Sequence, residues 1–150
     1  MRIALVVLAF FAAPVTAGPV SKVRADFLLH CAGCHGVSGD AGQANVPRLN
    51  GTGGNLLCTA ESRAYAVRLP NVALARNVTD ERLAALMNYV VFDLGGATHE
   101  RPYSPPEVAA LRAKPLVAGN LREERARIWK DIMRTCRPGT VKVVLNSGAE

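Results

Sequence analysis

Apolar residues recur along this chain at several spacings, and each spacing predicts an element. An unbroken apolar run from Ile3 to Ala13 follows Arg2 and stops at Pro14. It is too short to span a bilayer, and Val15-Thr16-Ala17 supplies the small residues of a cleavage site. Residues 1–17 therefore read as a secretory signal peptide, with the mature chain starting at Gly18 and no stable membrane insertion after cleavage. Beyond it, Ser21 is a helix N-cap, and Val23, Phe27 and Leu28 mark a helix running into Cys31. From Gly36 to Asn55 the composition turns to Gly, Ser, Asp, Asn and Pro, which is loop chemistry. A helix is predicted over Thr59 to Leu69, stopped by Pro70, and Asn71 to Asn77 reads as irregular and apolar. The strongest helical period follows. Thr79 caps it, Asp80 and Glu81 fill its first turn, and Leu83, Leu86, Met87, Val90, Val91 and Leu94 share one face up to Gly95-Gly96.

The remaining third is also helical in pattern. Ser104-Pro105-Pro106-Glu107 has the form of a capping box with proline at the first helical position, opening a short helix through Val108, Leu111 and Arg112 that Pro115 closes. Asn120 then caps a longer helix whose apolar face is Leu121, Ile128, Trp129, Ile132, Met133 and Cys136. Its charged side reads most simply as a solvated face, with partner docking as the lesser alternative. Val141 to Leu145 is either an added edge strand or a frayed tail. The pattern as a whole is all-α.

Cysteine chemistry changes this picture most. Cys31-Ala32-Gly33-Cys34-His35 is the attachment signature of a c-type haem. Two thiols three residues apart reach the two vinyl groups of one porphyrin edge from a single helical turn, and the next residue brings an imidazole beneath the ring as proximal iron ligand. A thioredoxin-like pair would need a βαβ setting, and a zinc site would need a second ligand pair; neither is present in the sequence. Gly51-Thr52-Gly53-Gly54 lacks the lysine and following strand of a P-loop, so its expected use is backbone wrapped closely around a flat cofactor. Four cysteines less two for haem leave Cys58 and Cys136, and in an exported chain an even remainder favours a bridge, two unrelated buried thiols being the alternative. The formal charge of the 150-residue chain is +6, or +5 once Arg2 is removed with the signal peptide. That excess is dispersed and accompanied by few aromatics, which does not fit a nucleic-acid surface but suits weak steering toward an acidic docking patch on a redox partner.

From about residue 21 to 95 the chain resembles the class I cytochrome c family. The resemblance is carried by an N-terminal helix with Phe27 ahead of the Cys31-to-His35 motif, by Val46-Pro47-Arg48-Leu49-Asn50-Gly51, and by a Thr79-Asp80-Glu81 start to an apolar helix with Tyr89. It implies a helical domain around one covalently bound haem c, in which Phe27 and Tyr89 meet where the first and last core helices cross. It also implies that the carbonyl of Pro47 accepts the ring N–H of His35, a contact that fixes the ring and raises its basicity as a ligand. On this reading residues 18–98 form the haem domain, and residues 99–150 form a C-terminal helical extension packed on or beside it.

The family usually carries its distal methionine shortly before the last core helix. Here that region is Arg68 to Ala75, with no methionine, histidine or lysine. Met87 on the last core helix is the leading candidate for the sixth ligand, ahead of His99 beyond the Gly95-Gly96 break, an inward-facing Met133, and His30 beside Cys31; a vacant or water-filled position is the other alternative. The implied function is that of a periplasmic monohaem electron carrier passing single electrons between redox partners, as a free protein or as a dehydrogenase subunit, with no catalytic residues of its own. The alternative is a haem protein with an open distal site that binds a small gas or acts on peroxide.

Overall fold

In the computed structural model, which describes residues 20–40 and 46–136, the chain is helical, and no strand occurs among those residues. Residues 1–17, where a signal peptide is expected, and the Val141 to Leu145 run lie outside the described residues. Helix α1 (Lys22–His30) begins where expected, with the Ser21 hydroxyl accepting the Arg24 N–H at 3.4 Å. It does not run on through the motif. The helical geometry breaks at Cys31, and Ala32–His35 forms a separate short turn, α2, which Gly36 ends at φ 77°, a conformation that costs glycine little.

A 3₁₀ turn over Gly53–Leu57 starts inside the stretch expected to be loop. Two of its glycines meet a packing need. A Cβ on Gly53 would stand 2.6 Å from the Val90 carbonyl oxygen, and one on Gly54 would stand 2.9 Å from that of Gly95. These two positions therefore allow the close approach of two backbones.

Thr59 caps α3 (Ala60–Arg68) through a reciprocal box in which Ser62 replaces the usual Glu or Gln. At Leu69 the backbone is extended, as steric conflict with the following proline requires, and Pro70 then occupies the first position of α4 (Pro70–Ala73). One proline thus ends a helix and starts the next, inside a stretch expected to be irregular. Thr79 caps α5 (Asp80–Asn88), which passes directly into a π-helical segment, Tyr89–Leu94, where the periodicity predicted a uniform α-helix. Helix α6 (Pro105–Arg112) has its proline at the start, but the Ser104 hydroxyl makes no cap bond, and the Asn120 side chain makes none to α7 (Leu121–Thr135).

Phe27, Val67, Leu83, Val91 and Val108 are buried in one apolar core, which Met87 and Tyr103 join. Helix α1 packs on α5, and the Phe27 and Tyr89 rings lie 5.6 Å apart and tilted by 58°. Tyr103 and Val108 build the first part of the extension into this same core. Arg63 secures the junction. It binds Glu107 through two bonds of 2.6 and 2.9 Å, donates to the carbonyls of Arg101 and Pro102, and stacks 4.1 Å over the Tyr103 ring, whose hydroxyl donates to the Arg63 carbonyl.

Helix α7 stands on a separate, smaller cluster in which Ile128 and Ile132 meet Tyr65 of α3, with Leu56, Leu69, Leu116 and Cys136 around them. Cys58 and Cys136 are disulfide-bonded with Cα atoms 6.0 Å apart, which closes the 78-residue separation between the 3₁₀ turn and the end of α7. The apolar face is narrower than the sequence indicated. Trp129 is 40% exposed and Met133 is 48% exposed, so Met133 does not face inward. Ile128 and Ile132 define the buried line, and each next residue is turned about 100° from it, which puts 129 and 133 on the flank.

A buried carboxylate links the two helices that frame the core. Asp26 on α1 accepts bonds of 2.5 and 3.2 Å from the Arg82 guanidinium on α5. Those bonds hold its carboxyl below the usual carboxylate range, with His30 and Lys22 adding smaller attractions. A carboxyl depressed in the folded state gives stability that is complete above its unfolded pKa of about 3.9 and is lost as pH falls through the folded value. Urea unfolding is therefore expected to show stability falling below about pH 4. Asp26→Asn should cost about 2 kcal/mol at neutral pH and shrink that acid-side loss, leaving the share due to the other depressed carboxyls, among them Glu107, which Arg63 holds down in the same way.

Candidate functional site

The five residues of the motif occupy the break after α1 and the single turn of α2. The Cys31 carbonyl accepts the N–H groups of Cys34 and His35 at 3.2 and 3.0 Å, so both thiols and the imidazole project from one tight turn. Both cysteines are free thiols. Cys31 is half-buried and packs on the core; burial, with Cys34 beside it, pushes its thiol up to about 11, so it stays protonated at neutral pH. Cys34 is exposed.

His35 Nδ1 lies 2.9 Å from the carbonyl oxygen of Pro47, twelve residues on. A carbonyl can only accept, so Nδ1 carries the hydrogen and Nε2 is left with a free lone pair. Burial lowers the pKa of the ring, which keeps it in that neutral, ligating form; the bond to Pro47 acts more weakly in the opposite sense. The loop carrying Pro47 is itself fixed. Asp40 accepts from the Ser38 hydroxyl at 2.7 Å and from Asn50 Nδ2 at 3.1 Å, and pairs with Arg48 at 3.0 Å, tying together the two limbs of the loop. The Gly39 carbonyl takes the N–H groups of Leu49 and Asn50.

Two further observations bear on whether a flat, partly apolar cofactor fits this chain. Leu29 and Val37, either side of the motif, are 76% and 67% exposed, apolar surface that a bound ring could cover. Asn55 is only 4% exposed, yet its Nδ2 donates to nothing. A buried amide donor left unpaired costs about 1 to 3 kcal/mol, and a carboxylate carried in by a ligand is the kind of group that satisfies it. The donor set of the motif thus fits a haem: two thiols and one oriented imidazole on one turn, with exposed apolar side chains on either side in sequence.

On the question of a sixth ligand, the structure separates the candidates. Met87 is 6% exposed and lies in the main core with Phe27 and Leu83. His30 and His99 are exposed, and the His99 backbone N–H donates to Glu100. Met133 is on the far flank of α7. The segment where the resemblance implies a distal methionine is held by a residue that sequence reasoning read only as part of a helix. Arg112 of α6 donates to the carbonyls of Ala73, Val78 and Ala75 and pairs with Asp80 at 3.0 Å. No spacing announces such a role, because its partners are backbone carbonyls. Asn55 was likewise invisible, since a loop asparagine looks the same whether buried or not. Among the described residues no group of three or more His, Cys, Asp or Glu could hold a free metal ion. No protein-family model, no curated protein and no solved structure matches this chain.

Proposed function

We propose that this protein is an exported, periplasmic monohaem c-type cytochrome that transfers single electrons between redox partners. The observation that carries the reading is the pairing of His35 Nδ1 with the Pro47 carbonyl behind a turn that presents Cys31 and Cys34 together. Cys31 and Cys34 would hold haem c through thioethers, and His35 would ligate its iron through Nε2. When bound, the group supplies a reversible one-electron couple between ferric and ferrous iron.

The chain's own contribution is orientation and burial. Pro47, fixed by the Asp40 bonds, holds the imidazole so that it cannot rotate away, and strengthens it as a donor. Leu29 and Val37 offer apolar surface to a ring. Arg112 keeps the Ala73 to Val78 segment in place. Met87 is the proposed distal ligand, and its position in the core lets one variant separate its two roles. Met87→Ala should cost about 2 to 5 kcal/mol through the cavity it leaves. If Met87 also ligates, the near-infrared methionine–iron band disappears and the potential falls, because thioether ligation raises the potential of a histidine-ligated haem. A spectrum unchanged by the substitution limits Met87 to packing. Rapid binding of carbon monoxide by the unmutated ferrous protein would replace the carrier reading by that of a ligand-binding haem protein.

A further inference from the structure

Among the described residues the extension carries most of the net charge and presents one exposed apolar stripe. Residues 99–136 hold eight Lys and Arg against five Asp and Glu, whereas residues 20–98 hold seven against six. On α7, Arg122, Ala126, Trp129 and Met133 follow one another at spacings of four, three and four, so they form a single line along the helix, and all four are exposed. Trp129 is the only tryptophan of the chain. A large exposed aromatic beside an exposed methionine, bordered by Arg122 and Lys130, has the composition of an interface centre and not of an ordinary solvated face. The stripe is also held rigidly. Ile128 and Ile132 fix the opposite side of the helix on Tyr65, Arg127 reaches Glu61 at 2.6 Å, and the disulfide pins the C-terminal end at Cys136.

We propose that the Trp129–Met133 flank of α7 is the docking surface for a protein partner whose apolar contact point is rimmed by carboxylates. Charge complementarity selects that partner: Arg122 and Lys130 border the stripe, and the extension as a whole is the basic part of the molecule. An anionic membrane surface fits less well, because Trp129 and Met133 are the only large apolar side chains exposed on α7, too little apolar area to anchor a helix in a bilayer interface. The area of one helix flank matches a transient contact, with exchange of partners. That the partner is a redox protein rests on the proposed function; the surface itself does not.

The test is calorimetric titration of the full exported protein at low salt with a purified acidic electron-transfer protein, a basic one of similar size serving as control. Binding to the acidic probe alone is expected. Trp129→Ala should weaken it by about tenfold or more. Lys130→Glu should weaken it and flatten its salt dependence, with thermal unfolding of that variant unchanged because the Lys130 side chain is exposed, so that loss of binding is separable from any loss of stability at Trp129. Carbodiimide coupling should join Lys130 to a carboxylate of the probe. Equal affinity of native and variant proteins, absence of binding, or binding only to phosphatidylglycerol vesicles would each overturn the assignment. So would a Trp129 environment that changes when the chain is cut after Cys136, since the chain's own terminus would then cover the stripe. A haem-free mass would refute the proposed function while leaving these binding results to stand.

Discussion

A Cys31→Ser, Cys34→Ser double variant, exported from a host that matures c-type cytochromes, is expected to carry no covalent haem. After denaturation and extraction with acidified organic solvent its polypeptide should be colourless, while the native polypeptide keeps its colour. The reason lies in the turn itself. Attachment adds each thiol across one vinyl group, and only this turn presents two free thiols together, one packed against the core and one exposed. Each single variant should retain one bond and remain coloured. Colour retained by the double variant would mean that the cofactor, if any, is held elsewhere.

Breaking the Cys58–Cys136 bridge is expected to have the second largest effect. In the chain-entropy treatment a closed loop of 78 residues contributes about 4.5 kcal/mol. Little else would hold α7. Its remaining attachments are the small Tyr65, Ile128 and Ile132 cluster and ion pairs such as Arg127 with Glu61, both half exposed and therefore worth well under the bridge. Cys58→Ala with Cys136→Ala should lower the urea midpoint accordingly. Hydrogen exchange should show α7 losing protection, while α1 and α5 keep theirs because the main core contains no residue of α7. Uniform loss across the molecule would show that the two clusters are one cooperative unit.

What could be read in advance followed from local chemistry. Ser21, Thr59 and Thr79 cap helices because a hydroxyl before an apolar period has one obvious use, and the structure has all three accepting the expected N–H groups. The break at Cys31 and the new turn at Pro70 were not legible, since both depend on how the flanking helices are held. Glu107 shows the same limit. Its carboxylate does reach the Ser104 backbone N–H, as half of a capping box, but Arg63, forty-four residues earlier, also engages it from another helix. The width of the α7 face was overestimated because hydrophobicity alone cannot distinguish a residue that packs from one that is exposed for docking; Trp129 and Met133 are apolar in either case. In the candidate site, the motif and the pairing of Pro47 with His35 were visible from the sequence and its resemblance. Arg112 and Asn55 were not, one acting through backbone carbonyls and the other distinguished only by burial.

The most direct measurement is the intact mass, under denaturing conditions, of the protein purified from the periplasm of a host with a working cytochrome maturation system. The mass predicted is that of a polypeptide beginning at Gly18 plus one haem. The mass of the bare polypeptide would contradict the assignment of Cys31, Cys34 and His35, and with it the reading of this protein as an electron carrier.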